Sequence, residues 1–453
     1  MFSLLSSVLI AQAAPTVAPK PDTIVKPQIV RVLPGRLDDV LVFNSNSPEV
    51  VQTEGILLST FPKEGKAHPE AHLDRVFQGR FDIFAHHISN QAKTSDPLKT
   101  LYLGILLHNP STKPVTVNVL QAASYLSQPD APFIDLPPLS DNALGNIFAG
   151  PGDRATNDIL RQQRQPNWPA TLVVPPGTSE MLLNVPIPVK ALTPPINGRS
   201  TLAYLRSNGP VYAASLAMYA KSDSAGQERA PTRDEWETLL KTGTLSGPRD
   251  KAPTLPEAKG KIIYGRVAGV ARGSRWLAQL TDPGNPSTRL TVPNPGEAFS
   301  YLLSGLAQGT FGTGQVQSAP MVVRYPDTAY AAHGNYGVHY SLTLPLYNST
   351  ESPKKVALML QTPLKADAKP TELTFFNPPP KRVFFRGTVR VRYKDDSGNP
   401  QTRYIHLVQS RGQQGEPLVE LNLDAQTSRL VQVDFIYPPD ATPPQVLTVK
   451  TKS

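Results

Sequence analysis

The sequence contains no cysteine. No disulfide can therefore hold this 453-residue chain together in an oxidising compartment, and a thiol nucleophile is excluded. Charge is also scarce. Asp, Glu, Lys and Arg make up 18%, against roughly 25% in an average protein, which argues against a polyelectrolyte tail or a coiled coil. Beyond the first fifteen residues no apolar run approaches the roughly 20 residues that a membrane-spanning helix needs. No Gly-x-Ser-x-Gly elbow occurs. Neither glycine-rich stretch, 149–154 or 309–314, ends in the Lys-Ser/Thr of a phosphate-cradling loop. Asp396-Ser397-Gly398 has the aspartic-protease triplet, but it occurs once and in a hydrophilic hairpin tip.

Proline, by contrast, is abundant. The chain has 48, about twice the ordinary share of about 5%, and each interior proline costs a helix about 3 kcal/mol. Short runs such as Leu101–Leu107, Thr171–Val174 and Thr388–Tyr393 are aliphatic, β-branched or aromatic and close on Asn, Pro, Gly or Asp. These are the signatures of strands and their turns. Asp395–Pro400 reads as a hairpin turn between Val389–Lys394 and Arg403–Gln409. Helical signals are few. Thr232-Arg233-Asp234-Glu235 has capping-box spacing, with Trp236, Leu239 and Leu240 following at helical intervals. Gly296–Leu306 and Ala155–Gln162 are shorter helix candidates. The expected class is mainly β: two β-sandwich-like domains with long loops and a few short helices.

Two regions about 240 residues apart echo each other. Arg80-Phe81-Asp82 with Phe84-Ala85-His86 matches Arg324-Tyr325-Pro326-Asp327 with Tyr330-Ala331-Ala332-His333. Leu107-His108-Asn109-Pro110-Ser111 matches Leu346-Tyr347-Asn348-Ser349-Thr350, and Pro175-Pro176-Gly177 loosely matches Pro378-Pro379-Pro380. Three echoes in one order imply an internal duplication. The resulting division is a signal peptide at 1–13, a proline-rich lead at 14–35, a first β domain at 36–220, a polar linker with a short helix at 221–260, and a second β domain at 261–453. The signal peptide is read from the apolar run ending in Ala11-Gln12-Ala13, the small-x-small pattern that signal peptidase requires. No Lys or Arg precedes that run.

Asn44–Glu49 through Gly55–Phe61, Gly79–His87, Gly309–Gln315 and Tyr437–Asp440 together resemble a cyanobacterial family of exported, periplasmic proteins of unassigned function. The resemblance covers about Arg36 to Val449 and implies an envelope location. It supplies no catalytic residues.

Two constellations could carry chemistry. Four of the eight histidines lie between His68 and His87. On a helix His68 and His72 would share a face, and with His86 they form a candidate metal set. Pro69 occupies the position where a zincin has its catalytic Glu, and His86 and His87 on a strand would point oppositely. Arg386, Arg390 and Arg392, with Lys394, share one face of a strand by period two. That face could grip an anionic envelope polysaccharide or lipid headgroups, or simply be a solvated edge-strand surface that blocks aggregation. The net charge of +9 biases the surface toward anions without naming one. The leading expectation is an exported, non-catalytic binding or structural protein without cofactor or nucleic-acid partner. The alternatives are a glycan-processing or metal-dependent hydrolase using loops near Asp82 to His87, and an adhesin-like module using the arginine strand.

Overall fold

A computed structural model of the chain describes residues 22–258, 260–284, 287–367 and 371–453. The expected signal peptide, 1–13, and the lead as far as residue 21 lie outside the described residues. The architecture is mainly β, with two α-helices among the described residues: α1, Pro151–Leu160, and α2, Arg233–Thr242. Neither is long and apolar enough to cross a membrane.

In the N-terminal half one strand organises the layers. The first part of Ile196–Tyr219 pairs with Phe77–Asn90 and Val115–Leu126. The register breaks between Ser207 and Val211, where Asn208-Gly209-Pro210 bends the chain, and the rest pairs with Leu101–His108 and Gly55–Ser59. One strand thus turns the corner between two layers that face each other. Phe81, Ile83, Val117 and Leu205 from one layer and Leu57, Leu103, Ile105 and Ala213 from the other close a core.

The C-terminal half is a second pair of sheets. One runs Ile29–Arg31, Ala298–Leu303, Gln445–Thr451, Lys354–Gln361, Pro417–Leu423. The other contains Pro400–Ser410, Val383–Lys394, Ser428–Ile436 and His339–Tyr347. Strand His339–Tyr347 shows why: Tyr340, Leu342, Leu344 and Leu346 alternate inward, and the residues between them stay partly exposed. Tyr340 lies stacked between Trp276 and Phe435 at ring-centroid distances of 6.3 and 5.1 Å.

A strand–turn–strand unit occurs in both halves. Leu101–His108 and Val115–Leu126 flank a turn at Asn109, and His339–Tyr347 and Lys354–Gln361 flank one at Asn348. Asn109 Nδ2 donates to the carbonyls of Lys113 and Val174 at 2.7 and 3.0 Å, and its Oδ1 accepts from Ser111 N–H at 2.9 Å. Asn348 Nδ2 donates to Ser352 and Leu423 at 2.8 and 3.1 Å, and its Oδ1 accepts from Thr350 N–H at 3.1 Å. Both asparagines are fully buried, so each satisfies carbonyls that water cannot reach. The turn that follows is Pro175–Thr178 in one half and Asp424–Thr427 in the other, each giving a carbonyl to its asparagine's N–H at 3.0 Å. Pro378–Pro380 does not occupy the position that the sequence echo assigns to it.

Strands also cross between the halves. Asp22–Pro27 pairs with Glu372–Asn377. Ala268–Arg272 and Ala319–Arg324 extend the N-terminal sheet beyond Leu41–Ser45, whereas Leu139–Asp141 joins Pro400–Ser410. The expected helix at Gly296–Leu306 is instead a strand, Ala298–Leu303: Phe299, Tyr301 and Leu303 face the second core at period two. α2 forms as its capping box requires, with Thr232 accepting from the Glu235 N–H, and it seats Trp236 and Leu240 against the first half. α1 starts earlier than Ala155 because Pro151 takes the first helical position, where its missing N–H costs nothing. Its Ala155, Ile159 and Leu160 pack with Val42, Phe84, Leu202 and Ile436 in an apolar seam between the halves.

Candidate functional site

Leu41–Ser45 lies between Phe77–Asn90 on one side and Ala268–Arg272 on the other, so both its edges are paired, and Val42 to Ser45 are buried on both faces. Alternation sends Phe43 into the first core and Val42 into the seam. Asn44 follows Val42 on the seam side, and Asn46 continues beyond the strand. Each is only 4% exposed. Neither side-chain amide is hydrogen-bonded among the described residues, and both Oδ1 atoms are buried without a partner. A buried polar group left unsatisfied costs about 1–3 kcal/mol.

Both amides line a cavity of about 200 Å³ at the seam. Its other walls are the segment Tyr264–Val267, the turn Ala332–Tyr336, Lys365, and Thr442-Pro443. The Tyr264 and His333 rings lie against each other at 4.5 Å, and the Tyr264 hydroxyl accepts from Gln308 N–H at 3.2 Å. Tyr336 donates its hydroxyl to the Ala441 carbonyl at 3.0 Å. Asn335 is fixed by Ala319 N–H, the Gln317 carbonyl and the Tyr340 hydroxyl, which holds the whole turn. Arg266 lines the cavity and is paired with Glu49. Burial brings the His333 imidazole down to about 4, so it is neutral at pH 7 and offers one donor and one acceptor. Burial likewise pushes the Tyr336 phenol up to about 12. No Asp or Glu is among the residues lining the cavity.

The residues singled out from the sequence lie elsewhere. His68 and His72 flank a three-residue 3₁₀ turn, Pro69–Ala71, not a helix, so they do not share a helical face. His68 meets Glu70 at 3.3 Å, and His72 meets the Ser59 hydroxyl at 2.8 Å. His86 and His87 point to opposite faces of Phe77–Asn90, as alternation requires. His86 is hydrogen-bonded with the Ser200 hydroxyl at 2.7 Å, whereas His87 donates to the Pro48 carbonyl at 2.8 Å and accepts from Ser45. Burial lowers them to about 3 and about 4. Among the described residues no three His, Asp or Glu side chains converge as metal ligands. Asp82 accepts from the Ser274 hydroxyl and faces Arg80 at 2.7 Å, yet burial dominates and pushes it up to about 7.

The arginine strand has the expected one-sided face, but α1 covers part of it. Arg390 reaches the Leu160 carbonyl at 3.4 Å, and Arg386 the Ala149 carbonyl at 3.5 Å. Asp434 takes both Arg390 and Arg392 at 3.2 and 3.1 Å, and Asp440 lies 3.8 Å from Arg386.

The cavity residues were not read as a site from the sequence. One signal was present: two asparagines at alternate positions directly after the apolar Leu41-Val42-Phe43, in a strand with no exposed face. The other wall is built from residues 220 to 400 positions away, and no local pattern marks it.

Fold and cavity together define a mainly β protein with an aromatic-walled cavity, lined by both polar and apolar groups, at the seam of two sheet pairs. The chain belongs to the family described as "Protein of unknown function (DUF3370)", which matches residues 28–451. No curated protein sequence matches it. Among solved structures it aligns with Lac15 from a marine microbial metagenome at 9% identity, over 80% of this chain and 50% of that one, with a TM-score of 0.09. It aligns with the 11S allergen from Cocos nucifera at 9% identity, over 84% and 87%, with a TM-score of 0.10. Procruciferin, the 11S globulin of Brassica napus, aligns at 12% identity over 91% and 84%, with a TM-score of 0.10. Superpositions this poor carry no argument about fold or function.

Proposed function

We propose that this is an exported, non-catalytic binding protein of the bacterial envelope, descended from an internal duplication, that holds a small hydroxyl- or amide-bearing molecule in the seam cavity. The observation that carries the reading is the pair of unbonded amides, Asn44 and Asn46, buried at the cavity wall. No protein group among the described residues satisfies their Oδ1 atoms, and a ligand supplying both donors and acceptors would offset the desolvation of the two amides. The absence of a lining carboxylate favours binding over hydrolysis, because glycoside cleavage needs a carboxyl pair on either side of the scissile bond. Duplication is supported by the matching asparagine turns, and export by the Ala11-Gln12-Ala13 pattern.

The test is a thermal-shift screen of sugars, polyols and amino acids on the native protein and on the Asn44→Ala/Asn46→Ala double variant. A ligand at a hundredfold excess over its Kd adds about 2.7 kcal/mol. At least one compound is expected to raise the melting temperature of the native protein and leave the double variant unmoved. A panel that moves neither protein contradicts the reading. N-terminal sequencing of envelope material is expected to begin after Ala13, and a mature chain starting at Met1 contradicts export.

A further inference from the structure

The charge and shape of the cavity narrow the ligand further, an argument that rests on the binding reading above. Its volume of about 200 Å³ lies below the roughly 300–1,000 Å³ of drug-sized pockets and suits a small ligand. One ring fits. The Tyr264–His333 pair gives that ring an aromatic wall, on which the apolar C–H face of a pyranose can pack. Asn44, Asn46 and the neutral His333 present mixed donors and acceptors, the complement of adjacent hydroxyls. A purely apolar ring would leave those groups unpaired.

The charges are one-sided. Arg266 and Lys365 line the cavity and no carboxylate does. Arg266 is already paired with Glu49, but Lys365 makes no ion pair within 4.0 Å among the described residues. The acid that interacts with Lys365 is Asp367. Its Oδ1 accepts the Gly309 and Thr310 N–H groups at 2.7 and 2.9 Å, so it is already engaged. We infer that the cavity takes an acidic monosaccharide, a hexuronate, with its ring against Tyr264 and His333, its hydroxyls on Asn44 and Asn46, and its carboxylate on Lys365. The preference comes from a charge-assisted hydrogen bond that a neutral hexose cannot make.

Isothermal titration calorimetry of the full chain tests this with D-glucuronate and D-galacturonate against D-glucose and D-galactose, and with acetate. At least one uronate is expected to bind about tenfold or more tightly than its neutral counterpart, as one charge-assisted bond allows. Lys365→Gln is expected to erase that ratio, whereas Asn46→Ala weakens both members of the pair alike and keeps it. Equal binding of uronate and neutral sugar overturns the acidic assignment and leaves the cavity reading standing. Acetate binding as tightly as the uronates overturns it in favour of a bare anion site. No binding by any of the four sugars also overturns it, and the cavity reading is then decided by the wider thermal-shift panel.

Discussion

Asn44 and Asn46 are costly residues to keep where they stand, and that cost separates a ligand-binding role from a structural one. A structural asparagine, such as Asn109 or Asn348, uses its amide to satisfy backbone carbonyls, so losing it leaves those carbonyls unpaired. Among the described residues the Asn46 side chain has no hydrogen-bond partner, and its Oδ1 is buried. Asn46→Ala is therefore expected to leave the unliganded protein as stable as before, or up to about 1 kcal/mol more stable, in urea denaturation. Asn109→Ala is expected to cost several times that change in the opposite direction. A loss above about 2 kcal/mol for Asn46→Ala would make it a structural residue. Residue chemistry was legible in the sequence where neighbours decide it and illegible where distant residues do. The opposite facing of His86 and His87 follows from strand alternation alone. That Arg390 and Arg392 share Asp434 depends on a residue more than 40 positions downstream, and nothing near either arginine signals it.

At the scale of elements the same division holds. α2 was readable because its capping box, Thr232 to Glu235, and its apolar stripe are local. Gly296–Leu306 reads as a helix from sequence because Phe299, Leu302, Leu303 and Leu306 satisfy helical spacing. The strand Ala298–Leu303 wins through its partners, Ile29–Arg31 and Gln445–Thr451, some 270 and 150 residues away. The pairing of Val383–Lys394 with Ser428–Ile436 has its own test. Asp434 is 1% exposed and holds Arg390, Arg392 and the Ser341 hydroxyl, while His339 Nε2 lies 3.6 Å away. Together these hold its carboxyl well below the usual carboxylate range. Asp434→Asn leaves the buried Arg390 without a counter-charge and is expected to cost about 3–5 kcal/mol. A urea midpoint within about 1 kcal/mol of native would show that this pair is not the fastener its geometry describes.

For the whole molecule, buried titratable groups fix how stability depends on pH. Burial holds His72, His87 and His333 at about 4 and His86 at about 3, all below the 6.5 of a free imidazole. These rings take a proton only on unfolding, so they weaken the fold as pH falls below about 6.5. Asp82 and Asp440 are pushed up to about 7 by burial and act oppositely, giving up a proton on unfolding and weakening the fold as pH rises from about 4 to about 7. His108 and His339 also shift down, and Glu49 and Asp158 shift up, each through burial. The four histidines outnumber the two aspartates, so stability is expected to rise from pH 5 to pH 6. Urea midpoints at pH 5 and pH 6 check this, and a flat or falling profile contradicts it. The mainly β class and the paired asparagine turns were readable from proline density and turn chemistry. The crossing of Ala268–Arg272 and Ala319–Arg324 into the N-terminal sheet was not, because strand pairing at that range leaves no trace in local sequence.

A ligand held in the seam cavity would face Asn44 and Asn46. Selective labelling of asparagine side-chain amides, followed by nuclear magnetic resonance during titration with the best compound from the thermal-shift screen, addresses that contact directly. The Asn44 and Asn46 amide signals, assigned by their loss in the Ala variants, are expected to shift at saturation while those of Asn109 and Asn348 stay in place. Saturable binding that leaves the Asn44 and Asn46 signals unmoved would contradict it.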